Sequence, residues 1–271
     1  MISAATTLVG VIGDPVSHSL SPRMQNAAFA AAGLDWAYLP LRVAPERLDE
    51  ALRGLVGLSF AGANVTIPHK EGAAALVDET TEVARAAGSV NTIVVRRDGS
   101  LLGDSTDGGA VTGALAAVAG DGVLQSRVLV LGAGGSARAV VAALSAAGAD
   151  VGVWSRRPEA AQTLAATLGV AAYGQIPSPL PPVIVNCTPL GGAKALTESP
   201  LHADSLSDVQ AVCDLAYRPD AAPTVLCVAA AARGAVVVDG LEVLVRQGAR
   251  SFAIWTGVEP DLDVMRRAVR G

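Results

Sequence analysis

Apolar residues along this chain come in short runs, each closed by glycine, proline or a polar residue, and the runs alternate with Ala-rich segments of helical period. The clearest instance is SRVLVLGAGGSARAVV, residues 126–141. Val128–Leu131 reads as a strand buried on both faces; it runs straight into a glycine turn, and a helical segment follows to Ala147 before Gly148 stops it. Ahead of it, Thr7–Ile12 and Tyr38–Val43 read as strands, Arg23–Ala32 and Pro45–Val56 as helices. Ser21 before Pro22 is the expected N-cap and N1 pair of the first helix. The strand after Phe60 ends in polar residues, and Pro68 is expected to open a new helix. Glu82–Ala86 reads as helical, Asp98-Gly99 marks a hairpin after the strand Ile93–Arg96, and Asp107 caps a helix reaching about Val118. Further on, Asp150–Trp154, Val183–Asn186, Val209–Leu215 and Val236–Val238 read as strands, and Val225–Ala232, Leu241–Thr256 and Asp261–Val269 as helices. The alternation of strand and helix from Val128 to Val238 predicts a parallel, doubly wound α/β sheet.

The glycine turn carries chemistry. Strand, Gly132-Ala133-Gly134-Gly135-Ser136-Ala137-Arg138 and helix together form the context of a dinucleotide-binding fingerprint. Gly132 allows the tight turn, Gly134 lets backbone approach a pyrophosphate, and Ala137 is the small residue that packs against the strand. The free N–H groups at the helix start would face the phosphates. An NAD site usually places an acid at the end of the next strand, for the ribose 2′-OH. Here that strand end reads Ser155-Arg156-Arg157. Guanidinium forks suit a 2′-phosphate, which favours NADP; a solvated arginine pair in a turn is the alternative.

Composition narrows the picture. At 271 residues the chain can hold two modest domains. Its net charge of −5 and the lack of a Lys/Arg block argue against a nucleic-acid partner. Mean hydropathy is +0.43, but the apolar runs fall short of the roughly 18 residues that read as a membrane span. The N-terminus has no basic region ahead of its first apolar run, so no signal peptide is expected. Cys187, Cys213 and Cys227 match no metal spacing and read as reduced, mostly buried thiols of a cytoplasmic protein.

Two polar clusters remain. Ser19 and Ser21 beside a helix N-terminus make a good carboxylate receptor, since hydroxyl donors and the helix dipole both favour an anion. Lys70 falls in a first helical turn, where a cation is disfavoured; a surface lysine is the plain alternative.

The set Gly13-x-Pro15-x-x-His18-Ser19-x-Ser21-Pro22, Asn64-Val65-Thr66-x-Pro68-x-Lys70, Gly88-x-Val90-Asn91-Thr92, Thr106-Asp107-Gly108, Gly132-x-Gly134-Gly135, Asn186-x-Thr188-Pro189 and Gln247-Gly248 runs in order through the chain. In this it closely resembles the shikimate dehydrogenases. The resemblance implies a two-domain α/β enzyme that reduces 3-dehydroshikimate to shikimate with NADPH, in the pathway to the aromatic amino acids. It implies a substrate domain of residues 1–105 plus 241–271 and a Rossmann-type NADP domain of residues 106–240, with the chemistry in the cleft between them. Lys70 and Asp107 would be the catalytic pair, and Ser19 and Ser21 would hold the carboxylate. Asn64, Thr66, Asn91, Tyr217 and Gln247 would bind the ring hydroxyls. Gly132–Ala137, Ser155, Arg156, Arg157, Thr188, Leu215 and Gly240 would bind the cofactor. No metal is implied, and monomer and homodimer both remain open.

The sequence departs from that pattern at Ser105, where Asn is usual, at Gln25, where His often precedes Asn26, and at Glu242-Val243, where Gly-Met is common. Two other readings stay open: an NAD-using quinate/shikimate relative, against which the arginine pair argues, and a non-catalytic NADP-binding regulator, which would tend to lose Lys70 and Asp107.

Overall fold

The computed structural model describes residues 2–271. By internal contacts the chain forms two units, residues 1–106 with 245–271, and residues 107–244.

The first unit runs β1 (Thr7–Gly13), α1 (Ser21–Ala31), β2 (Trp36–Arg42), α2 (Leu48–Gly57), β3 (Gly62–Val65), α3 (Lys70–Leu76), β4 (Glu79–Thr80), α4 (Glu82–Ala87), β5 (Thr92–Val95) and β6 (Leu101–Asp104). These strands form one sheet of order β2-β1-β3-β5-β6-β4. β1 pairs parallel with β2 and β3, while β5 is antiparallel to both β3 and β6. One core gathers Ile12, Val65 and Ile93 with Leu48, Leu52 and Leu55 of α2. Phe29 of α1 stacks on Phe252, ring centroids 5.0 Å apart, and Trp255 donates to Ile93 O at 2.9 Å.

The second unit runs α5 (Asp107–Ala119), β7 (Arg127–Leu131), α6 (Gly135–Ala146), β8 (Asp150–Trp154), α7 (Pro158–Leu168), β9 (Ala171–Ala172), β10 (Val183–Asn186), β11 (Ala211–Asp214), α8 (Val225–Ala231) and β12 (Val236–Val238). α9 (Gly240–Thr256) and α10 (Leu262–Arg270) complete the chain. The second sheet has order β12-β11-β10-β7-β8-β9, with every pairing parallel. This is a doubly wound sheet whose order turns back beside β7, where such folds bind ligands.

Its central strands are apolar throughout because both faces are covered, and successive residues serve two different cores. Val128, Val130, Val183, Val185, Ala211 and Cys213 pack with α5, α6 and α7. Leu129, Leu131, Ile184 and Val212 pack with α8 and the segment around Leu206. Between β10 and β11 the crossover carries only a short 3₁₀ helix, Ala203–Leu206. Among the described residues no helix is long and apolar enough to cross a membrane.

Three local expectations are corrected. Ser21 is the first residue of α1 rather than its N-cap; Leu20 holds that position without a side-chain cap, and the Ser21 N–H donates to Ser19 Oγ at 3.3 Å. Because Ser21 lies inside the helix, one residue past the N-cap, its hydroxyl has no capping duty. Pro68 does not open a helix. His69 N–H closes a turn on Thr66 O at 2.9 Å, and α3 starts only at Lys70. The helix expected from Pro45 begins as a 3₁₀ turn, Pro45–Arg47, before α2.

α5 packs closely on α6 because residue 108 has no side chain: a Cβ there would lie 2.4 Å from Ala139 O. Gly108→Ala should therefore lower stability by about 1–3 kcal/mol through forced separation of the two helices. A denaturant titration reads this directly, and an unchanged midpoint would refute the close approach.

Candidate active site

At the end of β7 the chain turns through Gly132, whose φ of +111° is a conformation that L side chains rarely adopt. A Cβ there would also meet the Cys187 carbonyl at 3.2 Å. The turn is tied to both neighbouring strands: Gly132 N–H donates to Trp154 O at 2.8 Å, and Cys187 N–H to Leu131 O at 2.8 Å. Gly134 then precedes α6 without a side-chain cap, so no side chain of the N-cap residue occupies the place an anion would take at this helix start. A Cβ on Gly134 would meet nothing within 4 Å, so open space lies against this backbone. Ala137 is buried beneath it. Past the end of β8, Arg156 and Arg157 are both exposed, and Arg157 N–H donates to Ser155 Oγ at 3.3 Å. These residues fit a dinucleotide: an open glycine cradle, an uncapped helix start and two guanidinium groups at the adjacent strand end.

The loops after β10 and β11 are held by buried polar side chains. Asn186 Oδ1 accepts from Thr188 N–H at 2.9 Å and from the Thr188 hydroxyl at 2.7 Å. Asn186 Nδ2 donates to Asp214 Oδ1 at 2.8 Å. Leu215 N–H donates to Asn186 O at 2.9 Å, and half-buried Tyr217 follows two residues later. Gly240 opens α9 against Ala216, where a Cβ would come within 2.3 Å of the carbonyl oxygen.

In the first unit a second buried network gathers several of the expected substrate residues. The Tyr38 hydroxyl donates to Asn64 Oδ1 at 2.7 Å. Asn64 Nδ2 donates to Asn91 O at 2.9 Å and to Ser251 Oγ at 2.9 Å, with Thr92 Oγ1 at 3.1 Å. Thr106 N–H donates to Asn91 Oδ1 at 2.9 Å, and Asn91 Nδ2 to the Thr106 hydroxyl at 2.9 Å, which fixes the residue immediately before Asp107. Ser251 donates to Gln247 O at 3.1 Å, one turn back along α9. Lys70, half-buried, is anchored beside Asn91 by Val90 N–H donating to Lys70 O at 3.0 Å. Thr66 N–H donates to Ile12 O at 2.9 Å, and the methyl of Thr66 would meet a Cβ on Gly13 at 2.5 Å. Ser19 and buried Ser21 stand at the start of α1.

The residues at the departures sit as follows. Gln25 is buried and donates to Gly248 O at 2.9 Å, beside Gln247. Ser105 N–H is taken by Asp104 Oδ1 at 2.8 Å. Val243 packs into the second unit's core, and Glu242 N–H donates to Asp239 Oδ1 at 2.8 Å. Sequence reasoning did not single out Tyr38, Ser251, Asp214 or Thr224. Asp214 carried a usable signal, an acid at the end of an otherwise apolar strand; the others lie outside any motif.

A doubly wound parallel sheet with a glycine cradle, joined in one chain to a second α/β unit rich in fixed polar groups, defines a two-unit dinucleotide-binding protein of the dehydrogenase type. Residues 11–93 match the family model for the shikimate dehydrogenase substrate binding domain, and residues 240–270 that for the shikimate 5′-dehydrogenase C-terminal domain. The NADP(+) shikimate dehydrogenase of Rubrobacter xylanophilus is 46% identical, over 100% of this chain and 98% of its own. The shikimate 5-dehydrogenase of Thermus thermophilus, solved with NADP(H) and shikimate, is 37% identical with a TM-score of 0.87, covering 98% of this chain and 99% of its own. The shikimate dehydrogenase structure from Aquifex aeolicus superposes at a TM-score of 0.90, with 37% identity and complete coverage of both chains. The chain belongs to the shikimate dehydrogenase family.

Burial pushes the Asp214 carboxyl up to about 6, against hydrogen bonds from Thr224, Ala216 and Asn186 that pull it down. The folded state therefore holds this proton more tightly than the unfolded chain, so the group's contribution to stability grows as pH falls through about 6. Wild-type melting temperature should rise relative to Asp214→Asn as pH is lowered from about 7.5 to about 5. Parallel curves for the two proteins would contradict a raised carboxyl.

Proposed function

We propose that this chain is an NADP-dependent shikimate dehydrogenase, interconverting 3-dehydroshikimate and shikimate in the shikimate pathway, in the cytoplasm. The observation that carries this reading is its full-length kinship with NADP(+) shikimate dehydrogenases. The arginine pair after β8, where an NAD site would carry an acid, supports the choice of cofactor.

Bound NADP supplies hydride acceptance and donation at its nicotinamide. The chain's residues then have four tasks. The backbone of Gly132–Ala137 and the N-terminus of α6 bind the pyrophosphate, while Ser155, Arg156 and Arg157 receive the 2′-phosphate. Thr188, Leu215 and Gly240 line the rest of the cofactor site. Ser19 and Ser21 hold the substrate carboxylate. Thr66, Asn91, Tyr217 and Gln247 orient the ring hydroxyls, and Asn64, with its amide hydrogens committed within the protein, fixes Asn91. Hydride transfer at a carbinol carbon requires a proton to leave or reach its oxygen. Lys70 and Asp107 hold and move that proton, and the ammonium stabilises negative charge developing on the oxygen.

The deciding experiment follows reduced-cofactor absorbance with shikimate and NADP+, beside quinate and NAD+ controls. Rapid turnover with shikimate and NADP+ alone is expected. Turnover with quinate or NAD+ would revise the substrate or cofactor, and NADPH binding without any turnover would favour the regulator. Lys70→Ala should lower kcat by about 10²-fold or more while shikimate still binds. Replacing Arg156 and Arg157 together with Ala should raise KM for NADP+ by about tenfold or more and leave KM for NAD+ nearly unchanged. Equal effects on both cofactors would remove the arginines from the 2′-phosphate site.

A further inference from the structure

Asp214 is a fully buried acid at the end of β11 that the proposed chemistry does not use. A buried carboxylate is expensive unless its oxygens are saturated with donors. Here they are, and the donors come from three different parts of the chain. Oδ1 accepts from Asn186 Nδ2 at 2.8 Å, at the end of β10, and from Ala216 N–H at 3.0 Å, in the loop after β11. Oδ2 accepts from the Thr224 hydroxyl at 2.6 Å, with Cys227 Sγ at 3.9 Å, both at the start of α8. All four donors are neutral groups, so the carboxylate is not one half of an ion pair. Thr224 relays the contact further, its Oγ1 accepting the Cys227 N–H at 3.2 Å as the cap of α8.

The consequence lies in what those segments carry. Asn186, held by Asp214, fixes both the N–H and the hydroxyl of Thr188. Ala216, also held by Asp214, is flanked by Leu215 and Tyr217 and is the surface against which Gly240 starts α9. A doubly wound sheet binds a dinucleotide with one half of the sheet to each nucleotide. The glycine cradle and the arginine pair, on β7 and β8, take the adenosine side; the ends of β10 and β11 are left for the nicotinamide side.

We infer that Asp214 is a positioning residue for the nicotinamide half of the cofactor: one carboxylate gathers the loops after β10 and β11 and the start of α8 through Asn186, Ala216 and Thr224. It does not touch the reacting atoms. The inference rests on the proposed NADP-dependent function.

The test compares two ligands on the full-length protein: NADPH, which needs both halves of the site, and adenosine 2′,5′-bisphosphate, which needs only the β7–β8 half. Asp214→Ala is expected to weaken NADPH binding about tenfold and to lower kcat by about tenfold to a hundredfold, because small displacements of a reacting group are heavily penalised. Affinity for adenosine 2′,5′-bisphosphate should stay within about twofold, and Asp214→Asn, which keeps one acceptor, should recover part of the loss. Leu52→Ala, a buried substitution in the core of the first unit and away from these loops, serves as the stability control and should leave the two affinities in their wild-type ratio.

If Asp214→Ala does not fold, Thr224→Val carries the test, removing one donor to Oδ2 while keeping the acid; it should show the same selective loss at smaller amplitude. The inference is overturned if either folded variant binds NADPH and turns over like wild type, if both ligands weaken in parallel, or if Leu52→Ala gives the same selective loss. Wild-type protein that binds NADPH but turns over no shikimate would instead count against the proposed function, and the ratio of ligand affinities would still decide the role of Asp214.

Discussion

Asn64, Asn91, Asn186 and Asp214 all lie in or beside strands that are closed to water, and each must find its hydrogen-bond partners inside the protein. That requirement shapes both units. A polar side chain at the end of a buried strand cannot be satisfied by its own strand, so it reaches for the next loop or a neighbouring helix and fixes it. Asn64 and Asn91 collect Tyr38, Thr92, Thr106 and Ser251; Asn186 and Asp214 collect Thr188, Ala216 and Thr224. The segments held this way are those that carry the proposed catalytic and binding residues. Leaving any one donor or acceptor unmet in such a place would forfeit about 1–3 kcal/mol, so the networks are tightly specified.

The second unit adds a geometric constraint to the chemical one. β7 is covered by helices on both faces, and its four buried residues alternate between two cores, so its position and facing are fixed along its whole length. A strand so confined delivers the next residue to one place, and there the backbone must turn at a positive φ with the Cys187 carbonyl against it. Only glycine satisfies both demands. The open space at Gly134 and the uncapped start of α6 come directly after that turn, an arrangement that suits a phosphate group.

The sequence readings that needed correction share a cause. Ser21 and Pro68 both had the right residue types for a helix start, and in both places a tertiary or local hydrogen bond moved the boundary. Ser19 accepted the Ser21 amide and the helix began one residue earlier than Ser21 as a cap would place it, and the Thr66–His69 turn was completed before α3 began. Helix boundaries depend on which single hydrogen bond wins, and composition does not encode that choice. Helix and strand existence was far more legible: Asp150–Trp154, Val183–Asn186 and Val236–Val238 form strands over the very residues whose apolar run proposed them.

The sequence by itself determined the alternation of strand and helix, the glycine turn and the absence of an acid after β8, because these follow from residue type and spacing within a few consecutive positions. It also displayed the ordered motifs of the family. Only the tertiary structure decided that Asn64 meets Ser251, 187 residues away, that Gln25 meets Gly248, 223 residues away, and that Asp214 meets Thr224 across the turn into α8. Those pairings are set by the packing of whole elements, and a polar residue carries no mark in the sequence of which distant partner will satisfy it once water is gone.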